Sequence, residues 1–291
     1  MLREEIERFL ESSGKRDKTK KTYRYSLKRF VEIVGDDALL DTNTYIKFLK
    51  AIKKLSPSSQ NVYRTSVLKL YAFTGNGDML ELKKATEHYS KAPEKRIVNF
   101  NRDALEKVIA HCISLEGDLL CLRDRAFVLT LADTGLRIFE ACSLKRGDID
   151  WQERRAVVIG KRGKQAVVHF SNRSIEALQK YLSARATLDG ATGKPLKSLP
   201  IFSTHWSDDI SPIQSGSMWK AIKDRIEEAG VPKEDVRLHD FRHYFVSTVY
   251  MTTRNIKVTK ELARHEQIAT TDRYTHLTDE LGEAYDDVFN K

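Results

Sequence analysis

The sequence predicts a mainly α-helical protein in two domains, with one small antiparallel β-sheet confined to the second. Three observations carry this. The first ninety residues repeat apolar side chains at intervals of three and four, the period of helices packed on one face. A polar stretch, Ser90-Lys91-Ala92-Pro93-Glu94-Lys95-Arg96, lacks any apolar period and marks a break between cores. Residues 156–170 alternate about a central glycine, as a hairpin does. The chain has 291 residues, enough for two cores, since a typical domain takes roughly 100 to 200.

In the N-terminal domain, residues 1–88, the positions Leu2, Ile6, Phe9 and Leu10 define a first helix. Tyr23, Leu27, Phe30, Val31 and Val34 define a second, broken by Gly35-Asp36-Asp37. Asn43 to Leu55 predicts a third, and Ser56-Pro57-Ser58 opens a fourth that ends near Phe73-Thr74-Gly75. Four short helices make an all-helical module. Residues 89–98 form the expected linker, basic enough to follow a phosphate backbone.

The second domain, residues 99–276, begins with helices at Asp103–Ile113 and Leu119–Asp133. Strands at Ala156–Gly160 and Ala166–Phe170 flank the turn Lys161-Arg162-Gly163-Lys164-Gln165. Further helices are expected at Ser174–Leu188, Ser217–Gly230, His239–Met251 and Ile256–His265. The tail, residues 277–291, aligns Leu277, Leu281, Tyr285, Val288 and Phe289 on one helical stripe, with five acids elsewhere. Such a helix docks either on its own domain or on a second protomer.

A net charge of +9 suits a polyanionic partner, because basic side chains release the counterions condensed on phosphates. The placement is more informative than the total. Residues 1–90 hold 18 basic against 12 acidic side chains, and Lys15 to Arg29 alone holds eight basic residues and one acid. A DNA-facing N-terminal domain follows. The cysteines, Cys112, Cys121 and Cys142, lie in apolar helical surroundings without Cys-x-x-Cys pairing, so they are expected to be small buried hydrophobes in a reducing compartment. The start, Met1-Leu2-Arg3-Glu4-Glu5-Ile6, lacks a signal-peptide core, and no run approaches the roughly 18 apolar residues of a membrane span. The expectation is a soluble cytoplasmic protein with no membrane partner.

Chemistry concentrates in the last third. Attack on a phosphodiester needs a nucleophile, an acid for the leaving oxygen, and positive donors for charge on the non-bridging oxygens. Arg137 follows the helix-ending Thr134-Gly135, where a guanidinium fork can meet a phosphate bidentately. His239 and Arg242 lie three apart on a predicted helix and so share one face. His265 and Tyr274 follow, nine apart, and Tyr274 is the candidate nucleophile. Lys161 or Lys164 of the hairpin turn can serve as the acid. Taken singly, each has a plainer explanation, since arginines at helix starts and turn lysines are usually solvated. His239 and His243 at i and i+4 with Asp240 between them also suggest a zinc helix. Aspartate in place of glutamate and the Arg242 cation on the same turn argue against it. No metal or other cofactor is expected.

The segments Thr134-Gly135-Leu136-Arg137-Ile138-Phe139-Glu140, Leu238-His239-Asp240-Phe241-Arg242-His243, Leu262-Ala263-Arg264-His265 and Tyr274-Thr275-His276 are similar to the boxes of the tyrosine recombinases, the phage integrase and Xer family. The resemblance runs over nearly the whole chain. It departs at Arg264, where glycine is common. It implies an N-terminal core-binding domain, a C-terminal α+β catalytic domain, and strand cleavage and rejoining through a 3′-phosphotyrosine. By this resemblance Arg137 and Arg242 clamp the phosphate, His239 assists proton transfer at the nucleophile, His265 bonds a non-bridging oxygen, Tyr274 attacks, and Lys161, 24 positions beyond Arg137, is the hairpin acid. Asp240, His243 and His276 are read as supporting residues. The implied partners are double-stranded DNA carrying a specific recombination site and the protein itself, as a tetramer on two duplexes and a monomer or weak oligomer off DNA. A type IB topoisomerase uses the same chemistry, and a recombinase-derived regulator would keep the DNA contacts without the nucleophile.

Overall fold

The computed structural model describes residues 1–15, 17–76, 79–87, 99–160, 163, 165–204 and 210–277. The chain forms two compact units, Met1–Arg96 and Ile97–Lys291. The expected linker, residues 89–98, lies wholly outside the described residues, and so does all of the tail stripe beyond Leu277.

The first unit contains α1 (Leu2–Ser12), α2 (Asp17–Val34), α3 (Thr42–Ile52), α4 (Pro57–Thr74) and α5 (Met79–Ala85). Helix α2 packs on α1, α3 and α4, and it buries Tyr23, Leu27, Phe30 and Val31 at the spacing of one helical face. Phe30 meets Phe48 of α3 edge-on, with ring centroids 5.0 Å apart, the arrangement aromatic quadrupoles prefer. Local chemistry sets the ends of α4. Ser56 accepts from the Ser59 amide, Pro57 occupies the first turn, and Gly75 closes the helix in the left-handed region at φ 69°. The opposite face of α2 is exposed and carries Lys21, Arg24, Tyr25, Lys28 and Arg29. Helix α5 is additional to the expected four. Its seven residues bury only Leu82, too little to show a period in the sequence.

The second unit is built around α7 (Leu119–Thr134), which packs against α6 (Arg102–Ser114), α8 (Ile138–Ser143), α9 (Asn172–Ala184), α11 (Ser215–Glu228) and α12 (Asp240–Thr253). Its buried residues run almost continuously from Leu122 to Thr134, as a helix enclosed on all sides requires. The short helices α10 (Ala186–Ala191), α13 (Ile256–Leu262) and α14 (Ile268–Thr271) complete the set. The sheet has the order β1 (Ile149–Asp150), β2 (Arg155–Ile159), β3 (Gln165–His169), all antiparallel. Val157 pairs with Val167 across the hairpin, and Ala156, Val158 and Val168 face the core. The predicted hairpin is present with this third strand added. Among the described residues no helix is long and apolar enough to cross a membrane.

Cys112 and Cys142 are buried, as expected, and burial pushes the Cys112 thiol up to about 12 and that of Cys142 to about 11. Cys121 departs from the expectation. It is partly exposed, with its Sγ 3.6 Å from Nη2 of Arg225.

One buried polar cluster holds the connection after α9. Arg185, fully buried, donates to the carbonyls of Pro200 at 2.6 Å and Ile201 at 2.7 Å and to Ser203 Oγ at 2.7 Å. Its charge is matched by Asp189, 2.9 Å away and equally buried, which also pairs with Arg146. Removing one member of such a pair leaves an uncompensated charge in the core. Arg185→Ala is therefore expected to lower the unfolding free energy by about 3–5 kcal/mol, measured by urea denaturation, whereas Arg185→Met combined with Asp189→Leu loses less.

Candidate active site

Helix α7 ends at Gly135, at φ 60°, and a Cβ there would overlap the ring of Phe245 on α12. Only glycine meets both demands. The chain turns through Leu136 and re-enters a helix with Arg137 at the N-cap of α8. Glu140, one turn on, accepts from the Arg137 amide and from Nη1 of its guanidinium, both at 2.9 Å. The Arg137 side chain is half-exposed, whereas Glu140 is buried. Burial pushes the Glu140 carboxyl up, but the Arg137 amide and the guanidiniums of Arg264 and Arg137 outweigh it and hold the group below the usual carboxylate value.

Helix α12 begins after His239, its N-cap, so Arg242 and His243 occupy the first turn. Arg242 is buried and donates from Nη1 to the Gly135 carbonyl at 2.6 Å and from Nη2 to the Ala263 carbonyl. Desolvation, with Arg137 and Arg264 nearby, brings it down to about 10. Helix α13 was expected to reach His265 but stops at Leu262, because Arg264 takes the left-handed conformation at φ 56°. His265 then leaves the helix, and its Nδ1 lies 2.8 Å from Thr271 Oγ1 on α14. Tyr274 sits in a 3-10 turn, Asp272–Leu277, with its ring only 3% exposed among Val246, Ala263 and Phe245.

These segments converge. Arg137, His239 and His265 all lie within electrostatic reach of Arg242, and the His265 ring stacks on Tyr274 with centroids 6.5 Å apart. The Tyr274 hydroxyl does not face His239. Its partner is His243, whose Nδ1 is 2.5 Å away, while the rings of His239 and His243 meet edge-on at 4.8 Å. Sequence reading treated His243 as a supporting residue. The available signal is its place one turn from His239 and next to Arg242, and it does not point to the tyrosine. Asp240 caps locally, accepting from the Arg237 amide at 2.7 Å. Lys161 and Lys164 lie outside the described residues, as does the structure of the turn around Gly163. The side chain of His276 is outside them as well.

Desolvation followed by nearby cations sets the protonation states. The His243 and His265 imidazoles are lowered to about 4, and His239 is lowered by partial desolvation and then by Arg242 and Arg137. All three are neutral near pH 7. Desolvation pushes the Tyr274 phenol up to about 12, so it keeps its proton in the unliganded protein.

Residues 98–280 match the sequence model of the Phage integrase family. The chain belongs to the phage integrase family. Curated relatives in it include tyrosine recombinase XerC of Treponema denticola, 29% identical over 236 residues that cover 79% of this chain and 76% of the relative. Tyrosine recombinase XerA of Thermococcus kodakarensis is 27% identical, covering 94% of this chain and 90% of that one. Among solved structures, the XerH site-specific recombinase bound to palindromic difH substrate in a post-cleavage complex superposes with a TM-score of 0.72 at 21% identity, over 94% of this chain and 80% of that one. The helical fold with a three-stranded antiparallel sheet is that of the tyrosine recombinases.

In this phage integrase family member the two low imidazoles give stability a definite pH dependence. His243 and His265 titrate near 4 when folded and near 6.5 when unfolded, so the unfolded chain takes up protons first. Their contribution is complete above pH 6.5 and is lost as the pH falls towards 4. The melting temperature of the His243→Gln/His265→Gln variant is expected to fall less between pH 7 and pH 5 than that of the wild type, followed by circular dichroism.

Proposed function

We propose that this chain is a site-specific DNA recombinase that cleaves and rejoins strands through a phosphotyrosine on Tyr274. The observation that carries the reading is the convergence of Arg137 and two neutral imidazoles, His239 and His265, on the buried Arg242 guanidinium, with the buried Tyr274 phenol stacked on His265. Arg137, half-exposed and pre-oriented by Glu140, and Arg242, with N–H groups left over after its two carbonyl bonds, hold the non-bridging oxygens. His265 donates to one of these oxygens from the nitrogen that Thr271 leaves free. His239, open to solvent at the start of α12, assists proton transfer during attack. His243 holds the phenol in the resting state. Lys161 is assigned the protonation of the leaving 5′-oxygen from its place in the hairpin turn, with Lys164 as the other candidate.

The phosphotyrosine keeps the energy of the broken bond until a 5′-hydroxyl reseals the strand, and a hydroxyl from a second duplex makes the outcome recombination. The basic exposed face of α2 is assigned to the duplex backbone, where lysines and arginines position without reading sequence. The residue 1–88 module is assigned as the core-binding domain and residues 99–276 as the catalytic domain, with residues 89–98 as the linker. Four protomers on two duplexes, with the 277–291 tail contacting a neighbour, complete the proposal, in the cell interior where DNA is. Neither topoisomerase-like relaxation nor a non-catalytic regulator is favoured, since the relatives above carry the name tyrosine recombinase and the nucleophile is retained.

A nicked duplex, of a sequence recovered from a random pool by binding to the wild-type protein, tests this in EDTA. Wild type is expected to give a covalent protein–DNA band on a denaturing gel and Tyr274→Phe none, while Arg137→Ala slows adduct formation by about 10²–10³-fold. Absence of a band from wild type on bound duplex would favour the regulator.

A further inference from the structure

Arg264 is a non-glycine residue held at φ 56°, with a side chain only 8% exposed. A left-handed arginine is strained, and it persists where its surroundings compensate. Its compensation is narrow. Nη2 donates to Glu140 Oε2 at 3.1 Å, the contact with the Gly135 carbonyl is long at 3.5 Å, and the buried Nε has no hydrogen-bond partner among the described residues. Glu140 therefore carries two guanidiniums of different character: half-exposed Arg137 at 2.9 Å and buried Arg264.

We infer that Arg264 is a positioning residue for strand cleavage, keeping Glu140 neutralised so that the charge of Arg137, oriented by that carboxylate, is available to the scissile phosphate. The inference rests on the strand-cleavage reading above. Arg137 gives Glu140 a bond from Nη1 and keeps its Nε and Nη2 N–H groups for a phosphate. Were Arg137 the carboxylate's only cation, the buried Glu140 anion and the incoming anion would share one guanidinium. With Arg264 in place the carboxylate stays paired throughout. The charges agree. Arg137, Arg242 and Arg264 against Glu140 leave two positive charges, which balance the two negative charges of a phosphodiester under attack, whereas glycine at 264 would leave one negative charge uncompensated.

The experiment uses the nicked duplex already described, with adduct formation timed for wild type, Arg264→Gly, Arg264→Lys, Glu140→Gln and the Arg264→Gly/Glu140→Gln pair. Glycine relaxes the backbone at this φ, so Arg264→Gly is expected to fold with an undiminished melting temperature. Its cleavage should slow on the order of tenfold, less than the loss of a direct donor to the reacting oxygens. Adding Glu140→Gln to Arg264→Gly should recover most of the lost rate, and Arg264→Lys should lose less than Arg264→Gly. A wild-type rate for Arg264→Gly, or a slow Arg264→Gly that Glu140→Gln does not speed, overturns the inference while leaving the recombinase reading intact. If wild type itself forms no Tyr274-dependent adduct on bound duplex, the recombinase reading fails, and the inference with it.

Discussion

The buried guanidinium of Arg242 donates to the carbonyl of Gly135 through one nitrogen and to that of Ala263 through the other. It thereby ties together the end of α7, the first turn of α12 and the end of α13, three stretches far apart in sequence. Each partner is a carbonyl at a helix terminus, where acceptors lack intrahelical donors, so the cation satisfies groups that would otherwise be stranded. The geometry of the site follows from this junction. Gly135 sets where Arg137 starts α8, Ala263 sets where Arg264 and His265 leave α13, and Arg242 itself stands between them. The contact between Gly135 and Phe245 closes the same junction from the apolar side.

Much of this was legible because the residues involved act locally. Ser56, Pro57 and Gly75 delimit α4 through their own capping and backbone preferences, and the alternation in residues 156–170 becomes a hairpin with Val157 opposite Val167. The segments holding Arg137, His239, Arg242, His265 and Tyr274 resemble the tyrosine recombinase boxes, and the fold brings these residues into one neighbourhood. What could not be read depends on distant packing. Nothing near Glu140 in sequence signals that its carboxylate is buried against Arg264, 124 positions away, or that the imidazole of His243 meets the phenol 31 positions on. Helices α8 and α14, of six and four residues, are too short to show a period. The early end of α13 arises from one residue's backbone conformation, which composition does not report.

The electrostatics of the site are those of an excess of fixed cations in a partly desolvated place. Guanidiniums stay charged at any physiological pH, and their field together with desolvation keeps the surrounding imidazoles neutral and thus able both to donate and to accept. The same desolvation keeps the phenol protonated. A resting site of this kind is poised for an anion and does little without one, because an incoming phosphate supplies the charge that the cations lack.

The ion pair between Arg264 and Glu140 also makes the two positions unequal in what they tolerate. An arginine at 264 without a carboxylate at 140 carries both a strained backbone and a buried unpaired charge. With the carboxylate present it carries only the strain. The glutamate depends less on the arginine, since it caps α8 and keeps Arg137 as a partner. Loss of the arginine to glycine therefore leaves a paired carboxylate and a relaxed backbone, whereas loss of the glutamate strands a cation in the core of the site.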